Sequence, residues 1–230
     1  MFKIAKKVLF LLHGIVVSSK FDQRRSQMNR EKDIKELLIS NTIRVIANGG
    51  FEKATTKELT RIHGLESDLK INEVYIYRIF GNKEKLFEAA FLRLDEELFS
   101  AFREYLDEVA KYDCDRKERF FRYFLLVWNF VMGDEDKCRC YMRYCYSVYF
   151  KGNSERIHSE QFENIVNSIT PYFKAEVSVS AILHSVFAIL LDFATRAYNG
   201  QITDDEATRS EIFNTLYITI SPYLKSAAEQ

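Results

Sequence analysis

The chain has 230 residues, 47% of them apolar, with only two prolines and eight glycines. This composition excludes a disordered protein, and the scarcity of helix-breaking residues favours an all-α fold. The net charge is zero, but residues 1–85 carry 17 Lys and Arg against 10 Asp and Glu, and residues 86–230 carry 16 against 23. A basic part next to an acidic part is typical of a protein whose first part meets phosphates, although chance clustering of solvated charges gives the same count.

The first 28 residues form an N-terminal extension with three interpretations. Residues 1–7 are basic, residues 8–17 are an interrupted apolar run, and small residues follow, an order that resembles a secretory signal peptide. The run is too short to cross a bilayer, which takes about 20 apolar residues. An extra basic arm, or a translation start at Met28, suits the rest of the chain better. We therefore expect a cytoplasmic protein without stable membrane association.

The four cysteines favour reduced thiols over disulfides or a metal site. Cys138, Cys140 and Cys145 fall in one predicted helix, where the first two point to different sides. Paired Cys-x-x-Cys or His-x-x-x-His ligands are lacking, and the four histidines are scattered. We expect these thiols and Cys114 to be mostly buried, with no metal or other cofactor.

Hydrophobic periodicity predicts a first helix from about Glu31 to Asn48, and the glycines that follow provide a C-cap. Thr55-Thr56-Lys57-Glu58 fits a capping box that opens a second helix ending near His63, with Gly64 as its C-cap. A third helix is expected over residues 72–79, with Asn72 as its N-cap.

A long helix is predicted to start after Asn82, because apolar residues continue at helical spacing. They are Leu86, Phe87, Ala90, Leu94, Leu98, Phe102 and Leu106. More aromatic helices are expected at about 115–132, 135–150, 154–173, 176–199 and 204–225, with Asp134, Asn153 and Thr203 as caps and with Pro171 ending or kinking the third of them. No Pro/Gly/Ser-rich linker and no internal repeat is found, so rigid coupling through the long helix is expected.

A set of short motifs resembles the N-terminal DNA-binding domain of the TetR family of transcriptional regulators over about residues 31–90. The matching residues are Gly50-Phe51, Thr55-Thr56, Glu58-Leu59-Thr60, Gly64-Leu65 and the run from Tyr77 to Leu86. The sequence departs from the family pattern in two places. Ile79 stands where a His is usual, and about six extra residues, within 65–71, lie between Gly64 and Tyr77.

The resemblance implies a three-helix helix-turn-helix domain over 29–84 and a helical effector-binding and dimerisation domain over 85–230, joined by the long helix. It implies double-stranded DNA as a partner, with the third helix in the major groove. Phosphate contacts are expected from Thr55, Thr56 and Lys57 at the start of the second helix, and from Tyr77 and Lys83 on either side of the groove. Base contacts are expected from Asn72, Glu73 and Tyr75.

The resemblance also implies a homodimer formed by the last two long helices, with Ile182, Val186, Leu190, Ile212 and Leu216 in the interface, although a monomeric core would use the same residues. The aromatic segment 120–150 suits a small hydrophobic or aromatic effector of unknown identity. Our pocket candidates are Tyr123, Trp128 and Tyr144, which plain core packing would equally explain.

These features predict a ligand-released dimeric repressor that binds a palindromic operator. The alternative is a helical sensor or interaction protein with degenerate DNA binding, which the insert and Ile79 would explain. We expect no enzyme, since the sequence has no Gly-rich phosphate loop, nucleophile elbow or metal pair.

Overall fold

The computed structural model describes residues 30–62, 69–109 and 115–226, so the extension predicted over 1–28 lies outside the described residues. Nine α-helices occur within these ranges, and the all-α prediction is confirmed. Their bounds are α1 30–53, α2 Thr56–Leu59, α3 Val74–Phe80, α4 Lys83–Val109, α5 Arg116–Gly133, α6 Glu135–Cys145, α7 Asn153–Ile169, α8 Val179–Tyr198 and α9 Glu206–Ile220. Short 3₁₀ turns, Thr170–Tyr172 and Ser221–Tyr223, follow α7 and α9.

Helix α1 runs further than the sequence suggested. Gly50, at the predicted stop, has φ +69°, a left-handed conformation that glycine adopts without a steric penalty. Helical hydrogen bonding nevertheless continues to residue 53. Leu38 and Ile46, on the predicted apolar face, are fully buried.

The predicted second helix is wrong in length. Helix α2 ends at Leu59, and Arg61–Ile62 then pairs antiparallel with Leu69–Lys70 to form a two-residue β ladder. Beyond the ladder, the backbone N–H of Ile71 donates to the carbonyl of Thr60 at 2.9 Å. The extra residues must return to the start of α3, and these bonds pair backbone groups that would otherwise be left unpaired. The predicted cap residues His63 and Gly64 lie outside the described residues.

A buried asparagine on α1 holds the end of α2 in place. The Nδ2 group of Asn41 donates to the backbone carbonyls of Glu58, Leu59 and Arg61 at 3.0, 2.9 and 3.1 Å. Its Oδ1 atom accepts from the guanidinium of Arg44 at 2.8 Å. Because a four-residue helix has little stability of its own, these bonds fix the position of α2 against α1.

Helices α3 and α4 begin and end close to where the sequence predicts. The N-cap of α3 is Glu73 and not the predicted Asn72, whose Oδ1 atom accepts from Val74 N at 3.0 Å from one position further back. Gly81, with φ +87°, follows the last residue of α3. Asn82 Oδ1 then accepts from Lys85 N at 2.8 Å and caps α4. The predicted stripe on α4 is buried from Leu86 to Phe102, so α4 forms the central helix of the core.

Several later boundaries differ from prediction: α7 ends at Ile169 and not at 173, α8 begins at Val179 and not at 176, and α9 ends at Ile220 and not at 225. Helix α6 ends at Cys145 and not near 150, because the Ser147 hydroxyl bonds the carbonyl of Tyr144 at 2.8 Å and diverts the chain into a turn. Helix α7 is capped by Gly152, so Asn153 is its first residue. Helix α9 begins at Glu206 with Asp205, and not Thr203, as its cap.

The two 3₁₀ turns belong to a short internal repeat, which the sequence analysis missed. Residues 169–174 read Ile-Thr-Pro-Tyr-Phe-Lys and residues 220–225 read Ile-Ser-Pro-Tyr-Leu-Lys. The two copies lie side by side, joined by an antiparallel bridge between Phe173 and Leu224. Pro171 ends α7, as predicted.

Replacing Asn41 with Ala is expected to lower the free energy of unfolding by about 2 kcal/mol, because three carbonyls at the end of α2 lose a buried donor. Asn48→Ala is the matched control: Asn48 lies on the same helix, but its side chain is exposed, and its loss should cost less than about 0.5 kcal/mol. Urea denaturation of the two variants measures the difference. Equal destabilisation would contradict the role of Asn41.

Candidate DNA interface and internal cavity

Helix α3 presents an outer face that other described residues leave uncovered. Val74 and Tyr77 are 63% and 56% exposed, and Arg78, beside Tyr77, is also exposed. Positions 74, 77 and 78 share one side of a helix. The sequence analysis missed Val74 and Arg78, although their spacing from Tyr77 was available to identify them. The arrangement offers an apolar group, a phenol and a guanidinium to a surface outside the protein.

The three residues predicted to contact bases have different surroundings. Asn72 is exposed, but its side-chain oxygen, Oδ1, already accepts a hydrogen bond from the backbone N–H of Val74. The carboxylate of Glu73 accepts a hydrogen bond from the Thr56 hydroxyl at 2.5 Å. Tyr75 is half-buried, and the guanidinium of Arg78 lies 4.3 Å from the centroid of its ring. Glu73 and Tyr75 are thus engaged within the protein.

At the start of α2, Thr55 is exposed and caps the helix through its hydroxyl, which accepts from Glu58 N at 3.3 Å. Thr56 is occupied by Glu73, and that bond ties the first turns of α2 and α3 together. Lys57 is exposed. Because α2 has only four residues, its dipole adds little to phosphate binding. Thr55 and Lys57 would contact a phosphate through their side chains.

Lys83 opens α4 on the other side of α3, half-buried, with its Nζ 6.0 Å from the ring centroid of Phe87. The neighbouring cations are paired: Arg78 with Glu31 at 3.5 Å, and Lys85 with Glu88 at 2.5 Å. Within the described ranges, no carboxylate lies within 4 Å of the Lys57 or Lys83 ammonium. These two lysines therefore have charges available for a partner.

A second candidate site is a small apolar cavity of about 90 Å³ between α4, α5, α7, α8 and α9. Among the described residues, its walls carry no charged side chain, and the hydroxyl groups there are those of Tyr123 and Tyr217. The lining residues are Phe102, Phe120, Tyr123, Phe124, Val127, Ile165, Ile169, Phe173, Ile182, Leu183, Val186, Phe187, Leu190, Phe213, Leu216, Tyr217 and Ile220. The cavity suits an apolar molecule.

The predicted pocket residues do not lie together. Tyr123 lines the cavity. Trp128 is fully buried outside the lining, and its indole N–H donates to Asp204 at 2.9 Å. Tyr144 borders a different surface cleft near the start of α4, with its hydroxyl bonded to the carbonyl of Tyr149 at 3.1 Å. Tyr144 is therefore part of another site, and Trp128 lies behind the cavity wall, with its ring centroid 5.8 Å from that of the wall residue Phe124.

The predicted interface residues on α8 and α9 face the interior of the protomer. Ile182, Val186, Leu190 and Leu216 line the cavity, and Ile212 is 2% exposed in the core. The opposite face of these helices is exposed and carries Ala181, His184, Ser185 and Ala188 on α8 and Asn214, Thr215 and Ile218 on α9. A surface between protomers would use this second face.

A buried carboxylate connects α4 to α6 and α7. Asp95 has no exposed side-chain surface, and its Oδ1 lies 2.8 Å from His158 Nδ1 and 3.0 Å from the Tyr141 hydroxyl. Its Oδ2 accepts from Gln161 Nε2 at 3.1 Å. Burial, with the nearby Cys145 thiol and Asp95 carboxylate, raises the pKa of Tyr141, which stays protonated and donates its hydrogen.

The described cysteines are free thiols in apolar surroundings. Burial raises the pKa of Cys138 to about 11, and those of Cys140 and Cys145 to about 12. Such thiols are poor nucleophiles at neutral pH. Cys114 lies outside the described residues. Among the residues that the structure describes, no three His, Cys, Asp or Glu side chains are grouped to hold a metal ion.

Helix α8 is long and apolar enough to cross a membrane by length and composition. It is the one such helix in the described part of the chain, and this is weak evidence, because core helices pass the same test. Ile182, Val186 and Leu190 of α8 contribute to the cavity wall. Its apolar character therefore has a sufficient cause in the packing of α8 within the fold.

No protein-family model matches the chain, and no curated protein matches it significantly. Solved structures do resemble it. A TetR family transcription regulator from Marinobacter aquaeolei VT8 superposes with a TM-score of 0.69 at 15% identity, covering 86% of this chain and all of its own. A putative TetR family regulator from Shewanella sp. PV-4 gives 0.66 at 15% identity, with coverages of 84% and 98%.

The transcriptional regulator FadR from Bacillus subtilis, solved in complex with stearoyl-CoA, gives a TM-score of 0.54 at 17% identity, covering 79% of this chain and 96% of its own. These neighbours are named as transcription regulators. Identities this low establish the architecture alone. The chain has the all-α fold of the TetR family transcription regulators.

Proposed function

We propose that this protein is a TetR family transcription regulator in the cytoplasm, which binds double-stranded DNA as a homodimer and is released by a small apolar effector. The observation that carries the proposal is the pairing, in one TetR-like fold, of an exposed α3 face with an internal apolar cavity. The α3 face is suited to a DNA groove, and the cavity is suited to a small ligand. Helix α4 starts next to α3 and also lines the cavity.

The reading helix in this proposal is α3, with Val74 and Tyr77 leading into the major groove. A valine side chain makes apolar contact with a thymine methyl group, which only the major groove displays. Tyr77 and Lys83 contact phosphates on one side, and Thr55 and Lys57 do so on the other. Asn72 keeps its amide N–H groups for an acceptor on a base edge. Glu73 holds α2 in position through Thr56, and Tyr75 holds the guanidinium of Arg78 against its ring.

The homodimer in this proposal uses the outward faces of α8 and α9. Ala181, Ser185 and Ala188 are small enough to let two helices approach closely, and Ile218, 70% exposed, supplies apolar surface. A two-fold axis between these faces makes a four-helix interface and sets two copies of α3 against two half-sites of a palindrome.

The effector in this proposal occupies the cavity. Its walls include Phe102 on α4 and Ile165 and Ile169 on α7, so an occupant contacts the two helices that Asp95 joins. Release from DNA requires that the ligand bind better to a conformation in which the spacing of the two α3 helices no longer fits the operator. A FadR with a similar fold binds stearoyl-CoA, which also has a long apolar part.

Selection of bound fragments from genomic DNA tests this function directly. We expect fragments that share a palindrome, bound with an affinity that falls steeply as salt rises. Retention of no sequence, or binding without salt dependence, would contradict the proposal and favour a helical sensor or interaction protein with degenerate DNA binding.

Changes at the proposed interface should separate general affinity from base reading. Lys83→Ala is expected to weaken binding to all duplexes about tenfold and to reduce the salt slope by about one counterion. Val74→Ala should weaken only duplexes that keep the preferred thymine. Arg103→Ala, at an exposed arginine on α4 about 30 Å along the helix from Lys83, is the control. Fluorescence anisotropy over a range of salt concentrations measures all three, and a uniform loss for Val74→Ala would contradict its role.

Filling the cavity should prevent ligand uptake. N-phenyl-1-naphthylamine, an uncharged apolar dye, is expected to fluoresce on binding to the wild type, and Val186→Trp should lower its affinity more than tenfold by occupying the empty space. Glu163→Trp, on the exposed side of α7, controls for the added tryptophan. Circular dichroism checks that both variants fold. Equal dye binding by both variants would show that the dye binds elsewhere.

A further inference from the structure

The repeated segments 169–174 and 220–225 form a reciprocal structure, which we call the twin clasp. Lys174 N donates to the carbonyl of Tyr223, and Lys225 N donates to the carbonyl of Tyr172, both at 3.0 Å. The side chains repeat the exchange: Lys174 Nζ donates to the carbonyl of Pro222 at 2.8 Å and Lys225 Nζ to that of Pro171 at 2.9 Å. Each copy thus binds the turn of the other.

The twin clasp closes one end of the cavity. Ile169 and Phe173 from the first copy and Ile220 from the second lie in the cavity wall. The ring of Phe120, also in the wall, lies 6.1 Å from that of Phe173 and 6.2 Å from that of Tyr217, between ring centroids. The two lysines follow directly after Phe173 and Leu224. A charged residue therefore follows a cavity residue in the first copy, and in the second copy it follows Leu224, which shares a buried cluster with Ile169 and Phe173.

Further cations surround this end. Arg116 donates to the carbonyl of Lys225, and Arg119 to the hydroxyl of Tyr172. Lys117 Nζ lies 5.6 Å from the ring centroid of Tyr217, a cavity residue. With the two clasp lysines, five cations gather in the part of the chain that carries a net excess of seven acidic residues.

The partners of three of these cations are neutral. Arg116, Lys174 and Lys225 each bind a backbone carbonyl, and none of them forms an ion pair with a carboxylate whose side chain the structure describes, a set that leaves out residues 107–114. The Nε atom of Arg116 is buried without a hydrogen-bond partner in the part of the chain that the structure describes.

Two acids close to Arg116 along the chain are already engaged, and Glu176, two residues after Lys174, is exposed. Asp115 caps α5 by accepting from Glu118 N at 2.8 Å, and Glu118 pairs with Arg122 at 2.8 Å. Cations held by carbonyls alone exchange them readily for a carboxylate, because hydrogen bonds between charged groups are stronger.

We propose that the twin clasp holds the carboxylate head of a single-chain anionic amphiphile whose tail fills the cavity. This inference rests on the proposed function, in which the cavity is the effector site. It adds that the ligand is an anion and that its charged head lies at the twin clasp. The carboxylate takes the place of the Pro171 and Pro222 carbonyls as partner of Lys174 and Lys225, and Arg116 supplies a further donor. Binding of the head then opens the reciprocal bonds that join the ends of α7 and α9.

Three probes of equal chain length test the proposal by displacing N-phenyl-1-naphthylamine below their micellar concentrations. They are dodecanoate, dodecan-1-ol and dodecyltrimethylammonium. We expect dodecanoate to bind at least tenfold more tightly than the alcohol, and the cation to bind most weakly. Raising the salt concentration should reduce this preference only in part, since the head is partly removed from solvent.

Substitutions in and beside the twin clasp test whether its cations cause the preference for dodecanoate over dodecan-1-ol. Lys174→Gln with Lys225→Gln, and separately Arg116→Gln, should bring dodecanoate to within about threefold of the alcohol while leaving the affinity for the alcohol unchanged. Lys151→Gln is the control at an exposed lysine, and thermal unfolding shows that each variant is folded. Retention of the full preference in both clasp variants would overturn the proposal, as would equal displacement by dodecanoate and dodecan-1-ol in the wild type. If the dye itself does not bind, the cavity proposal fails, and this one fails with it.

Discussion

The buried carboxylate of Asp95 is the constraint on which the arrangement of the molecule depends. A charged group without exposed surface is strongly destabilising unless it is hydrogen-bonded. Its partners come from α6, through Tyr141, and from α7, through His158 and Gln161. If α4 slides past α7, the hydrogen bonds of Asp95 to His158 and Gln161 break together. Positions of α4 in which Asp95 has lost these partners are therefore unfavourable. The central helix therefore has a defined position relative to the cavity helices.

Helix α4 also packs against the proposed DNA-binding part of the molecule. Near its start, Phe87 packs against Phe51 of the α1 segment with ring centroids 5.3 Å apart, and Tyr149 of the α6–α7 loop packs on Phe51 at 4.7 Å. Phe102, which lines the cavity, lies two turns beyond Asp95 on α4, and Ile165 lies two turns beyond His158 on α7. Along α4, the contact of Phe87 with α1, the hydrogen bonds of Asp95 and the cavity residue Phe102 thus follow one another.

The sequence predicted well where one local pattern decided the structure. The stripe on α4, the cap at Asn82 and the stop at Pro171 follow from spacing, hydrogen-bonding capacity and a fixed backbone angle. It failed at the end of α6, where the Ser147 hydroxyl diverts the chain locally, and most clearly where a distant partner decided. The insert could be located but not its β ladder, because strand pairing depends on residues that meet only in the fold.

Periodicity also could not orient α8. Both of its faces carry small or apolar residues, so Val186 and Leu190 were assigned to a surface between protomers, whereas they line the cavity of one protomer. For the same reason, Trp128 was taken for a pocket residue when its partner is Asp204, 76 positions away. The repeat at 169–174 and 220–225 was visible as a pattern, but only contact between its copies gives it meaning.

Reciprocal linkage between the cavity and DNA tests the account most directly. The affinity of the wild type for a selected palindromic duplex is measured with and without saturating dodecanoate, and the affinity for dodecanoate with and without the duplex. The account predicts that each ligand weakens the other by the same factor, about 5- to 150-fold, and that Asp95→Asn reduces this factor. An unchanged DNA affinity in protein saturated with dodecanoate would contradict it.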